Sequence, residues 1–154
     1  MKPQEQLSTA INIAVEAHAF TYDKGGSPYI LHPLHLMNQF LYDPELASIA
    51  VLHDAVEDSE LLVDELIGIG FSERVTDAID LLTHRKDDTY EEYINKICMN
   101  PDAIKVKRKD LEHNSDITRL KGVSDNDLQR IAKYHRAFLI LGIARDKMKF
   151  LGAY

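Results

Sequence analysis

The chain has 154 residues, 45% of them hydrophobic and 28% charged, with a formal net charge of −7. That balance supports one globular core of ordinary size. It excludes nucleic acid as the main partner, because a phosphate backbone calls for clustered positive charge, and it leaves room for a small anionic substrate held by a metal and a few local cations.

The hydrophobic pattern reads as helices, with no convincing strand. From Gln4 to about Tyr22, apolar residues recur at helical spacing, at Leu7, Ala10, Ile11, Ala14 and Val15. Asp23-Lys-Gly-Gly-Ser-Pro28 reads as a loop. His32-Pro33 opens a second helix running to about Tyr42, with the proline suited to the first turn. Asp43-Pro44 starts a third, Asp43 serving as N-cap. Leu61 to Ile69 and Ser72 to Leu82 form a helix pair broken at Gly70. Thr89 to Met99 is a helix with a Thr89/Glu92 capping box. Pro101 to about His113 is the next, and the last runs from about Asp125 towards Met148. The fold class is all-α, and with no repeat, low-complexity segment or linker, residues 1–154 are expected to form a single domain.

The one cysteine, Cys98, sits in the helical stretch YINKICM and is expected to be a packed thiol rather than a nucleophile. It cannot form an internal disulfide, which fits a reducing compartment. The first ten residues do not resemble a signal peptide, and no apolar run approaches the roughly 20 residues of a membrane span. The expectation is a cytoplasmic protein with no membrane partner.

The segment most loaded with chemistry is AVLHDAVEDS, Ala50 to Ser59. His53, Asp54, Glu57 and Asp58 lie among apolar residues, where ionisable groups call for a partner or a metal. On a continuous helix the four project at about 0°, 100°, 40° and 140° and share one face. One imidazole and three carboxylates there read as half a metal site beside a water-activating group. The best further histidine is His32, with His35 three residues on as its competitor; the best further carboxylate is Asp110. Asn114, one turn beyond Asp110, can hydrogen-bond a substrate or a ligand, and His113 is expected to be supporting. His18, His84 and His135 have no ligand spacing. The basic run Lys105 to Lys109 is expected to be mainly a solvated helix face, with a phosphate-contacting role open. Arg85, Lys86, Tyr90, Tyr134 and Arg136 are further candidates for substrate contact.

PYILHP (Pro28 to Pro33), LHDAVED (Leu52 to Asp58) and VKRKDLEHN (Val106 to Asn114) occur in that order. Together they resemble the HD superfamily of metal-dependent phosphohydrolases, and more narrowly the alarmone hydrolase domain of the Rel/Spo family and its stand-alone small hydrolases. The resemblance runs over roughly residues 10 to 145. It implies a helical fold, one Mn²⁺ or similar divalent ion on His32, His53, Asp54 and Asp110, a catalytic acid pair at Glu57 and Asp58, and substrate contact by Asn114 and Lys24. The family reaction removes pyrophosphate from the 3′ position of (p)ppGpp, so a small anionic nucleotide is the implied substrate.

Two positions depart from the family pattern. Asp23 stands where an arginine packs on the guanine base, and a carboxylate cannot stack as a guanidinium does. Ile117 stands where a small hydroxyl residue is usual. Three readings follow: a hydrolase of (p)ppGpp, an HD hydrolase of another phosphorylated nucleotide such as a deoxynucleoside monophosphate or NADPH, or a nucleotide-sensing module without turnover.

Overall fold

A computed structural model describes residues 1–154. The chain is all-α: α1 (Pro3–Ala17), α2 (Leu31–Asn38), α3 (Pro44–Leu52), α4 (Ala55–Asp58), α5 (Val63–Ile69), α6 (Glu73–Leu82), α7 (Tyr90–Ile97), α8 (Pro101–Asn114) and α9 (Asp125–Phe150), with one 3-10 turn at Ile117–Arg119 and no strand. No helix is long and apolar enough to cross a membrane.

The third helix is the axle. Every residue from Leu46 to Leu52 is buried, and a helix apolar all round must be surrounded. Helices α1, α2, α6 and α8 pack on it. Ser48, its one polar residue in that span, donates to the Pro44 carbonyl at 2.7 Å and so carries no unmet group into the core. The core is one cluster of 27 buried residues to which all nine helices contribute, with Phe40 and Phe71 added from the connections. On the far side α9 lies against α8 and α7, burying Ala137 and Leu141. Cys98 closes α7 and packs against the core, as expected of a structural thiol.

Helix ends follow local chemistry. Asp43 Oδ1 accepts from the Leu46 amide at 3.2 Å, with Pro44 in the first turn. Thr89 and Glu92 form the reciprocal capping box. Gly70 ends α5 at φ +103°, a left-handed conformation that side chains resist.

Three elements differ from the sequence expectation. Helix α1 stops at Ala17, because the chain reverses through Phe20 (φ +61°) so that Tyr22 can bridge Pro28 and close the following loop. Helix α2 stops at Asn38, four residues before Tyr42, leaving room for the turn that presents the Asp43 cap. Most consequential, α3 does not run through to Asp58. It ends at Leu52, and Glu57 and Asp58 stand on the separate single turn α4. His53 Nδ1 donates to the Ala50 carbonyl at 2.8 Å, the acceptor a continued helix would give to residue 54. The four ionisable groups therefore do not share one helix face.

Candidate active site

Four side chains from three helices and a break converge. His32 stands in the first turn of α2, His53 caps the C-terminus of α3, Asp54 occupies the break, and Asp110 lies near the end of α8. His32, His53 and Asp110 are buried and Asp54 partly so, and one potential ligand atom from each lies within 4.8 Å of all the others. Two atoms bound at 2.0–2.2 Å to one ion sit at most about 4.4 Å apart, so this set needs only a small contraction to share a cation. His32 Nε2 is 3.0 Å from Asp110 Oδ1 and 4.0 Å from Asp54 Oδ2. His53 Nε2 is 2.9 Å from Asp54 Oδ2 and 3.5 Å from Asp110 Oδ1.

The donor chemistry fits a metal. Because His53 Nδ1 carries the proton given to Ala50, Nε2 of the neutral ring presents a lone pair. That atom is buried and makes no aligned hydrogen bond, even with Asp54 Oδ2 close by. A lone pair facing two carboxylates calls for a cation between them, either a proton or a metal. Burial disfavours a charged ring here, yet the charge of Asp54, with the carboxylate of Asp110, lifts His53 to about 10.

Neighbours hold the ligands in place. Tyr29 donates its hydroxyl to Asp54 Oδ2. Asn114 Nδ2 donates to Asp110 Oδ1 at 2.6 Å, and Lys107 Nζ lies 2.8 Å from Asp110 Oδ2. Burial opposes the charge on both partners, but Asp110 keeps the Lys107 ammonium well above its usual range and Lys107 keeps the Asp110 carboxyl well below its own. The His113 ring stacks on His32 at 4.9 Å, and the two Nδ1 atoms are 2.6 Å apart, which fixes the His32 ring with Nε2 towards the carboxylates. His35 stacks on the outer side of His113 at 4.1 Å and stays out of the donor set. His18 is buried against Tyr29, 4.9 Å between ring centroids, also outside the set.

A cavity of about 540 Å³ adjoins the cluster through Tyr29 and Asn114, and Asp58 and Lys24 line it. Burial, then the charges of Asp54 and Glu57, push the Asp58 carboxyl up to about 6. Glu57 itself accepts from the His84 amide at 2.9 Å, anchoring the α4 turn. Asn114 reaches the cavity with both ends of its amide engaged, Nδ2 on Asp110 and Oδ1 accepting from Arg119 at 3.3 Å.

Of the other substrate-contact candidates only Tyr134 lines this cavity. Arg85 pairs with Asp80 on the surface, Lys86 is exposed, Tyr90 packs beneath Lys133, and Arg136 lies in a separate polar groove. The basic run is not a solvated face. Lys107 points inward to Asp110, Arg108 lies 3.7 Å over the Phe138 ring, Lys105 pairs with Asp102 and Lys109 with Glu112. With alternating inward and outward neighbours on a helix flanked by α9, its charges are taken up by local acids and rings. Sequence reasoning missed Arg130 and Arg119, both on the cavity. Arg130 stands one helical turn before Tyr134, a spacing that could have found it. Arg119 meets Asp23 across 96 residues, and no local signal announces that.

No protein-family model matches the chain. The guanosine-3′,5′-bis(diphosphate) 3′-pyrophosphohydrolase of Borreliella burgdorferi is 30% identical over 144 residues, 84% of this chain and 21% of that protein. The protein of the same name from Aquifex aeolicus is 34% identical over 82 residues, 51% of this chain and 12% of that protein. Among solved structures, one described as a metazoan ortholog of SpoT that hydrolyzes ppGpp matches with a TM-score of 0.72 at 17% identity, over 100% of this chain and 99% of its own. This chain is a relative of the Rel/Spo proteins. Its likeness to the Rel/Spo hydrolase domain, carried by three motifs, is borne out, and the all-α HD-type fold with it. It spans about a fifth or less of the length of these curated Rel/Spo relatives. An HD-type fold implies a divalent metal, and the His/Asp cluster is the group of side chains able to hold one.

Proposed function

We propose that this chain is a metal-dependent phosphohydrolase that removes pyrophosphate from the 3′ position of (p)ppGpp or a closely related nucleotide. The observation that carries this reading is the buried His53 Nε2, without an aligned hydrogen bond and set among two carboxylates and a second imidazole, beside a cavity lined by Asp58 and Lys24. His32, His53, Asp54 and Asp110 would hold the ion. Two imidazoles with two carboxylates suit Mn²⁺ or another divalent transition metal. Such an ion, when bound, supplies Lewis acidity that acidifies water and neutralises phosphoryl charge.

The chain's own residues do the rest. Asp58, with its carboxyl at about 6, is ionised at neutral pH and basic enough to take the proton of the attacking water. Glu57 keeps it so, by its charge and by tying α4 to His84. Lys24, which makes no ion pair, faces phosphate charge from the cavity wall, with Arg130 beside it held by Asp127 at 2.8 Å. Tyr29 and Asn114 hold Asp54 and Asp110 in position. The bond to the ribose 3′ oxygen breaks, and that oxygen takes up the proton as pyrophosphate leaves.

The test is a product assay of the Mn²⁺-loaded protein on ppGpp, pppGpp, deoxynucleoside monophosphates and NADPH, with His53→Ala as control. Pyrophosphate released from ppGpp by the parent and not by the control supports the reading. Turnover of another panel member alone moves the activity to a different HD substrate. No turnover from a protein whose melting temperature Mn²⁺ raises would refute hydrolysis of these nucleotides.

A further inference from the structure

We propose that Arg119 is the surface on which the purine base of the substrate lies, and that Asp23 is the residue that positions it. This deepens the hydrolase reading and rests on it for the identity of the ligand.

Arg119 ends the 3-10 turn that follows α8, and its side chain lines the same cavity as Lys24, Asp58 and Arg130. Nη1 donates to the His113 carbonyl at 2.9 Å and to Asn114 Oδ1 at 3.3 Å; Nη2 donates to Asp23 Oδ2 at 3.4 Å. Every N–H of a guanidinium lies in its plane. Three such contacts therefore tether the group by its edge, and no aromatic ring of the chain lies over its faces. Arg108 shows the contrast, since its guanidinium is already covered by the Phe138 ring at 3.7 Å. A planar, weakly hydrated cation stacks well on aromatic heterocycles, and bases are commonly held that way. Charge pairing sharpens the assignment. Asp23 neutralises Arg119, whereas Lys24 on the same wall makes no ion pair. Lys24 suits phosphate, and Arg119 suits a neutral ring.

The partner of Arg119 is preformed. Asp23 Oδ1 accepts from the Ser27 amide at 2.9 Å, so its carboxylate is aimed by its own loop. The loop is closed by Asp23 N–H to Ser27 O at 2.9 Å and Tyr29 N–H to Thr21 O at 2.8 Å. It approaches the turn so closely that a Cβ on Gly25 would stand 2.3 Å from the Arg119 carbonyl oxygen. Glycine there permits the contact.

The experiment is calorimetry on the full Mn²⁺-loaded chain with two probes: GDP, which carries a base, and inorganic pyrophosphate, which does not. Arg119→Lys keeps the charge but loses the plane. It should weaken GDP binding about tenfold while pyrophosphate binding is retained, with a smaller selective loss in Asp23→Asn. In turnover the loss falls on KM. Equal weakening of both probes would assign Arg119 a merely structural role and overturn the proposal, as would unaltered GDP affinity. Asp23→Asn gives the same reading should Arg119→Lys not fold, as thermal unfolding would reveal. A parent protein that binds GDP no better than pyrophosphate overturns the proposal even if ppGpp is cleaved. Arg119-dependent GDP binding without hydrolysis of any nucleotide defeats the hydrolase reading alone.

Discussion

Replacing Lys107 by Met should make the chain's stability depend sharply on metal. The Lys107 ammonium is 12% exposed and the Asp110 carboxylate 4%, with 2.8 Å between them. Methionine keeps most of the stem's packing and removes only the charge. Taking one partner from a buried pair costs about 3–5 kcal/mol, because the other charge stays behind. The low end applies here, since His32 and Asn114 still serve the other oxygen of Asp110. For a chain of this size about 1 kcal/mol moves the melting temperature by about 2–4 °C, so about 3 kcal/mol predicts a fall of about 6–12 °C after chelation. A divalent ion on Asp110 replaces the lost positive charge. Added Mn²⁺ should therefore raise the melting point of Lys107→Met more than that of the parent and recover most of the deficit. Differential scanning fluorimetry with EDTA and then Mn²⁺ reads both quantities. A chelated variant melting within about 2 °C of the parent would mean that the pair is not desolvated. Equal metal-induced shifts in the two proteins would remove Asp110 from the ligand set.

Other perturbations test the remaining parts. Asp58 must be ionised to accept a proton, and its carboxyl is raised, so turnover should be present above about 6 and fall as pH drops through it; a bound cation or Glu57→Gln moves that limb downward. A profile flat from about pH 5 to 8, or loss of less than about tenfold in Asp58→Asn, would exclude it as the base. Arg74 donates from Nε to Asp102 at 2.7 Å, from Nη2 to Asp43 at 2.7 Å and from Nη1 to Glu45 at 3.2 Å, joining α3, α6 and α8. Discounted for its 38% exposure, Arg74→Met should cost about 2 kcal/mol in urea unfolding; under about 0.5 kcal/mol would show three solvent-screened pairs and no more. Burial raises the Asp43 carboxyl, but Arg74 and the cap amides hold it below its usual range, so its share of stability is present above about pH 4 and lost as pH falls through the lowered value. Gly25→Ala should raise KM several-fold with a modest change in melting temperature, because the new Cβ displaces the loop from Arg119; kinetics indistinguishable from the parent would mean that the loop relaxes without disturbing the cavity.

Local chemistry made much of this molecule legible. The Asp43 cap, the Thr89 box, the Gly70 break and the period of the apolar residues depend on neighbours within about one turn, and the structure keeps all of them. The candidate cluster was legible in part for a related reason: His53 and Asp54 sit among apolar residues and His32 follows an apolar run, so each calls for a partner, whereas Asp110 stands behind a basic run. The shared face of His53, Asp54, Glu57 and Asp58 was not, because it assumed an unbroken helix, and a side chain bonding back to Ala50 decides otherwise. The inward turn of Lys107 was hidden too, since a basic run looks solvated until α9 and Asp110 are placed around it.

The sequence by itself determined an all-helical chain, its capped ends and the identities of the residues that meet in the His/Asp cluster, because those depend on backbone hydrogen bonding and on which side chains can bear burial. Only the tertiary structure decided which atoms face one another. It set His53 Nε2 against two carboxylates, placed Glu57 and Asp58 on a turn of their own after the break that ends α3, and brought Asp23 to Arg119 from 96 residues away. Such pairings follow from how whole helices pack around α3, and no window of neighbouring residues contains that information.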